Sequence, residues 1–288
     1  MSPLVSVCIP TYNNPGGLRG TLRNITGQTY TNLEIIVSDN CSPDPGVQEV
    51  IREFAETDTR IHPYRQDVWV NVNENYRFVR GKATGKYMMF AQDDDWWSRS
   101  FIEKLVEGLE ANPDKAAAIC PSQYVTSTGE TSGVYDMHGL SPYWAVGNGK
   151  LGFICMGIWR CEMFVRYEAH LEVHVLGGDH ITAAHMLMVH NGIVVADSEN
   201  YYKGFKKTRF AWCFQNHDSL YMFRTWYHLM RILITSPYIP VHRKILLPVV
   251  GVTNLLRACA VFSVQVLLRL PEGNWVRKIV QHRFFGTN

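Results

Sequence analysis

The N-terminal third of the chain alternates between apolar runs of strand length and segments with apolar residues at helical spacing. The strand-like runs cover residues 4–9, 33–38, 61–64 and 87–91. Between the first two runs, Leu18, Leu22 and Ile25 recur every three or four residues, which is typical of one face of a helix. Strands that alternate with helices form a mainly parallel sheet covered by helices. The pattern therefore predicts an α/β fold.

Three of the apolar runs end in residues that suit a ligand site. Pro10 follows the first run, Asp39 follows the second, and Asp93, Asp94 and Asp95 follow the fourth almost directly. In a parallel sheet the carboxyl ends of the strands lie at one edge, where ligands collect. We therefore expect these residues to line one site.

The three consecutive aspartates allow two interpretations. They can form a solvated acidic turn, or their carboxylates can supply the oxygen ligands that Mg²⁺ and Mn²⁺ prefer. Adjacent like charges repel one another, and a surface turn has no need of them. Their place at a strand end, in line with Pro10 and Asp39, favours the metal site.

Composition excludes several classes of protein. A hydrophobic content of 46% and a charged content of 19% are those of a folded globular chain, and 288 residues suffice for one large domain with an appendage. Seven cysteines occur without a Cys-x-x-Cys pair, which argues against a disulfide framework or a zinc site and favours a reducing compartment. Residues 1–10 lack a basic segment followed by an apolar one, so we expect cytosolic synthesis.

The charge is distributed unevenly along the chain. Residues 203–288 contain 13 basic and two acidic residues, whereas residues 1–202 contain 15 and 24. Residues 245–270 are mostly apolar, but Arg257 lies in the middle, and a charge there is costly in a bilayer. We expect helices that lie against an anionic membrane surface rather than cross it. The alternative is a helical subdomain packed on the core, and both can hold together.

Three motifs together carry a resemblance. They are Val-Ser-Val-Cys-Ile-Pro-Thr-Tyr-Asn at residues 5–13, Glu-Ile-Ile-Val-Ser-Asp-Asn-Cys-Ser at residues 34–42, and the acidic cluster. In order and spacing the chain resembles the family 2 glycosyltransferases with the GT-A fold. The resemblance covers about residues 4–205 and implies a GT-A catalytic domain over residues 1–205, with a nucleotide-binding half of about 1–97 and an acceptor half of about 98–205. Residues 206–288 would then form a helical, basic extension.

The resemblance implies a nucleotide-diphosphate sugar as donor. Pro10, Thr11 and Tyr12 would line the nucleoside pocket, and Asp39 would accept a hydrogen bond from the N3–H of the base, which favours a UDP-sugar. From the residues alone, Asp39 can instead cap the following helix, a task that Ser42 and Asp44 could share. Asn75 lies in a segment that fits the family's approach to the acidic motif and is a further donor-binding candidate. Lys203 is expected to meet the diphosphate.

The resemblance also implies Mn²⁺ or Mg²⁺ bound by Asp93, Asp94 and Asp95. Relatives often show Asp-x-Asp-Asp, and Gln92 stands where their first aspartate falls. Two registers stay open: Asp93 with Asp95 as the ligand pair, or Asp94 as the main ligand supported by its neighbours. His217 is an alternative third ligand and is otherwise a surface residue.

Inverting transfer needs a general base that takes the proton of the acceptor hydroxyl. Relatives place an aspartate, usually in a Glu-Asp pair, at the start of a helix. Asp179 occupies that position here, with Gly178 in place of the glutamate. The resemblance therefore implies Asp179 as the base, and the alternative from the residues is a simple helix cap.

The acceptor is expected to be a glycan or a lipid-linked glycan. The signature Gln-x-x-Arg-Trp of processive synthases is absent, so we expect transfer of a single sugar without polymer extrusion. The basic tail predicts a peripheral location at the cytosolic face of a membrane, with no nucleic-acid partner. Two other functions stay open: a non-catalytic module that binds a nucleotide sugar or glycan, and a sugar-phosphate nucleotidyltransferase.

Overall fold

The computed structural model describes the N-terminal part of the chain continuously and the remainder in segments. The described residues are 2–126, 143, 157–168, 178–190, 194–196, 201–205, 221–249, 251–252, 255–256, 259–260, 263 and 275. Residues 127–150 are rich in Gly, Ser and Tyr, which predicts a loop, and they lie outside these ranges apart from residue 143. The same holds for much of the apolar tail over residues 245–270.

Strands and helices follow one another along the described ranges, and the elements with defined bounds are as follows. The strands are β1 (Val5–Thr11), β2 (Leu33–Asp39), β3 (Ile61–Arg65), β4 (Tyr87–Phe90), β5 (Asp95–Trp97), β6 (Ala117–Ile119), β7 (Ser122–Thr126), β8 (Ile158–Arg160), β9 (Val194–Val195) and β10 (Tyr201–Phe205). The helices are α1 (Pro15–Thr26), α2 (Pro45–Thr57), α3 (Val72–Lys82), α4 (Phe101–Ala111), α5 (Cys161–Glu168), α6 (Gly178–His190), α7 (Tyr221–Thr235) and α8 (Val241–Lys244).

Local sequence explains where the first three helices begin. Proline, which lacks an N–H and has its φ angle fixed, stands at the start of both α1 and α2. The side chains of Asn14 and Asp44 accept hydrogen bonds from the first turns of these helices. Asn71 and Glu74 form a reciprocal capping box at the start of α3. Asp44 is thus the cap of α2, which leaves Asp39 for another role.

A seven-stranded sheet forms the centre of the molecule, in the order β3-β2-β1-β4-β8-β6-β9. Neighbouring strands in it run parallel except for β8, which is antiparallel to both β4 and β6. A second sheet has the order β5-β10-β7. The expected α/β architecture with a mainly parallel sheet is therefore confirmed.

The buried core lies on both faces of the large sheet. Val7 and Cys8 of β1 point to opposite faces and are both fully buried, as is expected of a central strand with helices on both sides. Leu18, Leu22 and Ile25 of α1, which the sequence assigned to one helix face, are also fully buried. The periodicity argument therefore identified the core face of α1 correctly.

The C-terminal helices pack against α6. Ser236, which follows α7, lies 2.7 Å from Nε2 of the buried His185 in α6. Arg243 of α8 donates to the carbonyl oxygens of Met188 and Val189 in the last turn of α6, at 3.0 and 2.9 Å. A guanidinium at this end satisfies carbonyls that have no partner within the helix. This is the arrangement of a helical subdomain packed on the core, the second interpretation of the tail.

No helix among the described residues is both long and apolar enough to cross a membrane. Several apolar side chains of the C-terminal region are nevertheless exposed. They are Tyr227, Ile234, Val241, Ile245, Leu246, Val249, Val252, Leu256 and Trp275.

We expect Arg243→Ala to lower the free energy of unfolding by about 1.5–3 kcal/mol, the usual range for hydrogen bonds made by a charged group. Arg231→Ala serves as the control, because Arg231 is exposed on α7. Urea unfolding of both variants measures the difference. Equal stability of the two variants would show that the contact between Arg243 and α6 does not hold the tail in place.

Candidate active site at the carboxyl edge of the sheet

A row of polar residues crosses the ends of three neighbouring strands. In the parallel register, Thr11 of β1 is paired with Asp39 of β2, and Asp39 is paired with Arg65 of β3. Neighbouring strands lie about 4.8 Å apart, so the row spans about 9.6 Å between the outer two. The sequence placed Thr11 and Asp39 at one edge correctly and did not single out Arg65.

Asp39 is fully buried and is held by three donors from three elements. Its carboxylate accepts the backbone N–H of Ser42 at 2.9 Å, the amide of Gln48 at 2.6 Å and the guanidinium of Arg65 at 2.6 Å. Arg65 also donates to the carbonyl oxygen of Ser42 at 3.1 Å. The network fixes the loop after β2 against α2 and β3. Asp39 is fully buried whereas the Arg65 side chain is 42% exposed, so Arg65 supplies a charged partner to the buried carboxylate from the solvent side.

Asn75 of α3 holds the same strand end through its contacts with Ser38, the residue before Asp39. Its side chain is buried, accepts a hydrogen bond from the Ser38 hydroxyl at 2.7 Å and donates to the Ser38 carbonyl oxygen at 3.2 Å. Gln66 donates to both the Ser38 hydroxyl and the Asn75 amide oxygen. These contacts give Asn75 a structural task next to Asp39. A direct contact with the donor stays a prediction.

The acidic turn lies on the other side of the row, beside β1. The Thr11 hydroxyl donates to the Asp93 carboxylate at 2.6 Å, and the Asn14 amide donates to the Asp93 backbone carbonyl at 3.1 Å. The hydroxyl of Thr21 donates to the backbone carbonyls of Gln92 and Asp95 at 3.0 and 3.2 Å. Helix α1 and the end of β1 thus fix the backbone that carries the carboxylates. Asn14 and Thr21 were not identified from the sequence, because their partners lie more than 70 residues away.

The three aspartates differ in their surroundings. Asp93 is partly buried, Asp94 is exposed, and Asp95, the first residue of β5, is buried. Burial raises the pKa of the Asp93 carboxyl, and the charge of Asp94 raises it further, whereas hydrogen bonds from Thr11 and Asn14 lower it. Loss of hydration thus makes the charged form of Asp93 costly, and a bound cation would offset that cost.

Asp93 and Asp94 fit a divalent cation, since two hard oxygen ligands on one turn leave room for phosphate oxygens in the remaining positions. In the part of the chain that the structure describes, no group of three histidine, cysteine or acidic side chains is arranged to hold a metal ion. Asp95 as a third direct ligand, and the choice between the two registers, stay predictions.

For two of the remaining predicted site residues the structure gives the position of the backbone, and a third is not described. Lys203 lies on β10, where the antiparallel register pairs it with Asp95 of β5. Asp179 is the second residue of α6, so its expected place at a helix start agrees with the structure. His217 lies outside the described residues.

Tyr12 directly follows β1 and is 47% exposed. Pro10, two residues earlier on β1, is partly buried. The next residue, Asn13, has a φ of 53° and donates its N–H to the Ser42 hydroxyl at 2.8 Å. The loops after β1 and β2 are therefore joined beside Tyr12.

We expect Gly17→Ala to displace the acidic turn, because a Cβ at Gly17 would lie 2.1 Å from the Asp93 carbonyl oxygen. Overpacking of this kind usually costs about 1–3 kcal/mol. Gly16→Ala is the matched control, since a Cβ at Gly16 meets nothing within 4 Å. Thermal unfolding and titration with Mn²⁺ measure the effects on stability and on the turn. Identical behaviour of the two variants would contradict the close approach of α1 to Asp93.

Comparisons with known proteins agree with this geometry. The family model described as glycosyl transferase family 2 matches residues 6–173. A putative teichuronic acid biosynthesis glycosyltransferase, TuaG of Bacillus subtilis, is 32% identical over 109 residues, which are 36% of this chain and 41% of that protein. The chain matches less than half the length of the first curated relatives.

Two solved structures share the fold. TarS 1-349 of S. aureus in complex with UDP-GlcNAc has a TM-score of 0.71 at 13% identity, covering 97% of this chain and 80% of that one. The mannosyltransferase PcManGT from Pyrobaculum calidifontis in complex with GDP-Man and Mn²⁺ has a TM-score of 0.62 at 19% identity, covering 98% and 84%.

Proposed function

The chain belongs to glycosyl transferase family 2 and has the GT-A fold, and on that premise we propose that it is a metal-dependent inverting glycosyltransferase. It would transfer a single sugar from a nucleotide-diphosphate sugar, with a UDP-sugar favoured, to a glycan or lipid-linked acceptor. The observation that carries the proposal is the polar row at the strand ends. It runs from Asp93 through Thr11 and Asp39 to Arg65.

The row is suited to a nucleoside diphosphate laid across the strand ends. The base would lie at the end formed by Asp39 and Arg65, and the diphosphate at the end formed by Asp93 and Asp94. Asp39 would accept the N3–H of uracil in place of one of its present donors, such as the partly exposed Arg65. A fold neighbour solved with UDP-GlcNAc supports a UDP-sugar.

Asp93 and Asp94 would hold Mn²⁺ or Mg²⁺, and a neighbour in complex with Mn²⁺ supports that choice. When bound, such a cation offsets the negative charge that develops on the leaving nucleoside diphosphate. Thr11 and Asn14 would keep the turn in place during the reaction, because their hydrogen bonds hold both the carboxylate and the backbone of Asp93.

Asp179 would act as the general base. It would take the proton of the acceptor hydroxyl while that oxygen attacks the anomeric carbon and the bond from that carbon to the phosphate oxygen breaks. The rest of α6 is well suited to hold a catalytic residue, since Ile181, Ala184 and His185 are fully buried. A rigid helix keeps its first turn in a fixed position relative to the sheet.

We expect Asp179→Asn to lower sugar transfer by about 100- to 10,000-fold, the usual contribution of a general base, without weakening donor binding. Asp114→Asn is the control, because Asp114 is exposed and lies beyond the end of α4. Release of nucleoside diphosphate with Mn²⁺ and with a chelator measures the reaction. Equal rates for Asp179→Asn and the wild type would remove Asp179 from the mechanism. A wild-type protein that binds donors but never turns them over would favour the non-catalytic module.

The acceptor and the location follow from the tail. Exposed apolar side chains at Ile245, Val249, Val252 and Leu256 recur at helical spacing in a region with a strong excess of basic residues. That combination is typical of a helix lying in the interface of an anionic membrane. The protein would then act at the cytosolic face of a membrane, on glycans of the cell envelope. The relation to a teichuronic acid biosynthesis enzyme supports this context.

We expect a variant with Val249, Val252 and Leu256 all changed to Ser to bind anionic vesicles at least about tenfold more weakly, because less apolar area enters the interface. Val72→Ser is the control, since Val72 is an exposed apolar residue at the start of α3, outside the C-terminal region. Flotation with vesicles of phosphatidylglycerol and phosphatidylcholine measures binding. Equal flotation of all three proteins would contradict a membrane role for these residues.

A further inference from the structure

The loop between β3 and α3 exposes two consecutive apolar side chains. Val68 is 66% exposed and Trp69 is 60% exposed. A tryptophan ring in water gains free energy when a partner covers its apolar face. Tryptophan is accordingly enriched in binding interfaces. The loop follows Arg65, so it projects from the same edge of the sheet as the proposed donor site.

The backbone on both sides of Trp69 is anchored to the loop after β2. Asn40 clamps Val70: its amide donates to the Val70 carbonyl oxygen at 2.8 Å, and its amide oxygen accepts the Val70 N–H at 3.0 Å. On the other side, the Cys41 thiol donates to the carbonyl oxygen of Asp67 at 3.8 Å. Since the backbone is held on both flanks, a ligand at Trp69 would meet a loop that needs little further ordering of its backbone.

Tyr12 is attached to the opposite flank of the same loop. Asn13 next to it donates to the Ser42 hydroxyl, and the Asn13 amide oxygen accepts the N–H of Asp44 at 3.2 Å. The loop over residues 40–44 therefore lies between the chain segment of Tyr12 and that of Trp69. Their parent strands, β1 and β3, are separated by β2 alone, or about 9.6 Å.

A planar ring lying over residues 40–44 would have the chain segment of Tyr12 on one side and that of Trp69 on the other. Carbon atoms in contact lie about 3.5–4.0 Å apart, so a ring with an aromatic side chain on each face needs about 7–8 Å between the walls. The polar row of Asp39 and Arg65 crosses the strands beneath this space, where the edge of a base would be hydrogen-bonded.

We propose that Trp69 forms the outer wall of the nucleobase slot and stacks on the face of the base opposite Tyr12. This inference depends on the proposed donor site and assigns to it a specificity residue of its own. An anionic membrane is disfavoured as the partner of Trp69, because the exposed acids Asp67 and Glu74 lie beside it on the same loop and helix start. A nucleobase is neutral and meets no such repulsion.

The test is the dissociation constant of the full chain for UDP, UMP and uridine, measured by calorimetry with Mn²⁺ present. We expect Trp69→Ala to weaken all three by a similar factor of about tenfold or more, because each carries the same base. Trp69→Phe should recover most of the affinity, since it restores an aromatic face. Val68→Ala is the matched control and should bind like the wild type.

Distinct outcomes separate this inference from the donor proposal. If the wild type binds UDP and Trp69→Ala binds it equally well, the slot is wrong and the donor site stands. A loss restricted to the acceptor KM would also overturn the slot. If the wild type binds no uridine nucleotide, the proposed UDP-sugar donor is wrong, and the role of Trp69 in binding its base is wrong as well. Unchanged thermal unfolding of Trp69→Ala would show that lost affinity is not lost folding, as is expected for an exposed side chain.

Discussion

The parallel pairing of β1 with β2 on one side and β4 on the other is the constraint on which the site depends. Backbone hydrogen bonds fix the register of these strands, so that Thr11 is level with Asp39 and the chain leaving β4 reaches Asp93 beside them. A slip of one residue in β1 would turn every side chain of that strand to the opposite face. Because both faces of β1 are buried, such a slip would exchange Val7 and Ile9 with Ser6 and Cys8 in the packing, so the core maintains the polar edge.

The charged carboxylate of Asp93 at this edge lowers the stability of the folded protein. Because the pKa of Asp93 in the folded protein is raised, its carboxyl binds a proton more tightly there than in the unfolded chain. The contribution of Asp93 to stability therefore falls as pH rises through the interval between the unfolded and folded values, and the penalty persists above it. The hydrogen bond from Thr11 offsets part of the penalty, and a cation shared with phosphate would offset more. In the proposed donor site, a bound cation and diphosphate would therefore stabilise this edge of the sheet.

The sequence was informative wherever the determining contacts are local. Helix α1 follows from its own periodicity, and the meeting of Thr11, Asp39 and Asp93 follows from strand ends alone. Arg65 was missed because its task depends on which strand lies next to β2, and no local pattern records that neighbour. The short strand β5 was missed for a similar reason, since its pairing partner β10 lies about 100 residues further along the chain.

The sequence predicts a boundary after residue 205, and residues on the two sides of it are in contact. Helix α6 carries Asp179 near its start and is buried through most of its length, partly by residues that come after the boundary. His185 in its middle contacts Ser236, and Arg243 holds its last carbonyls. Loss of the contact with Ser236 would remove a hydrogen bond from a fully buried histidine, which is costly. The tail therefore helps to position the proposed base helix, whatever surface its exposed side chains bind.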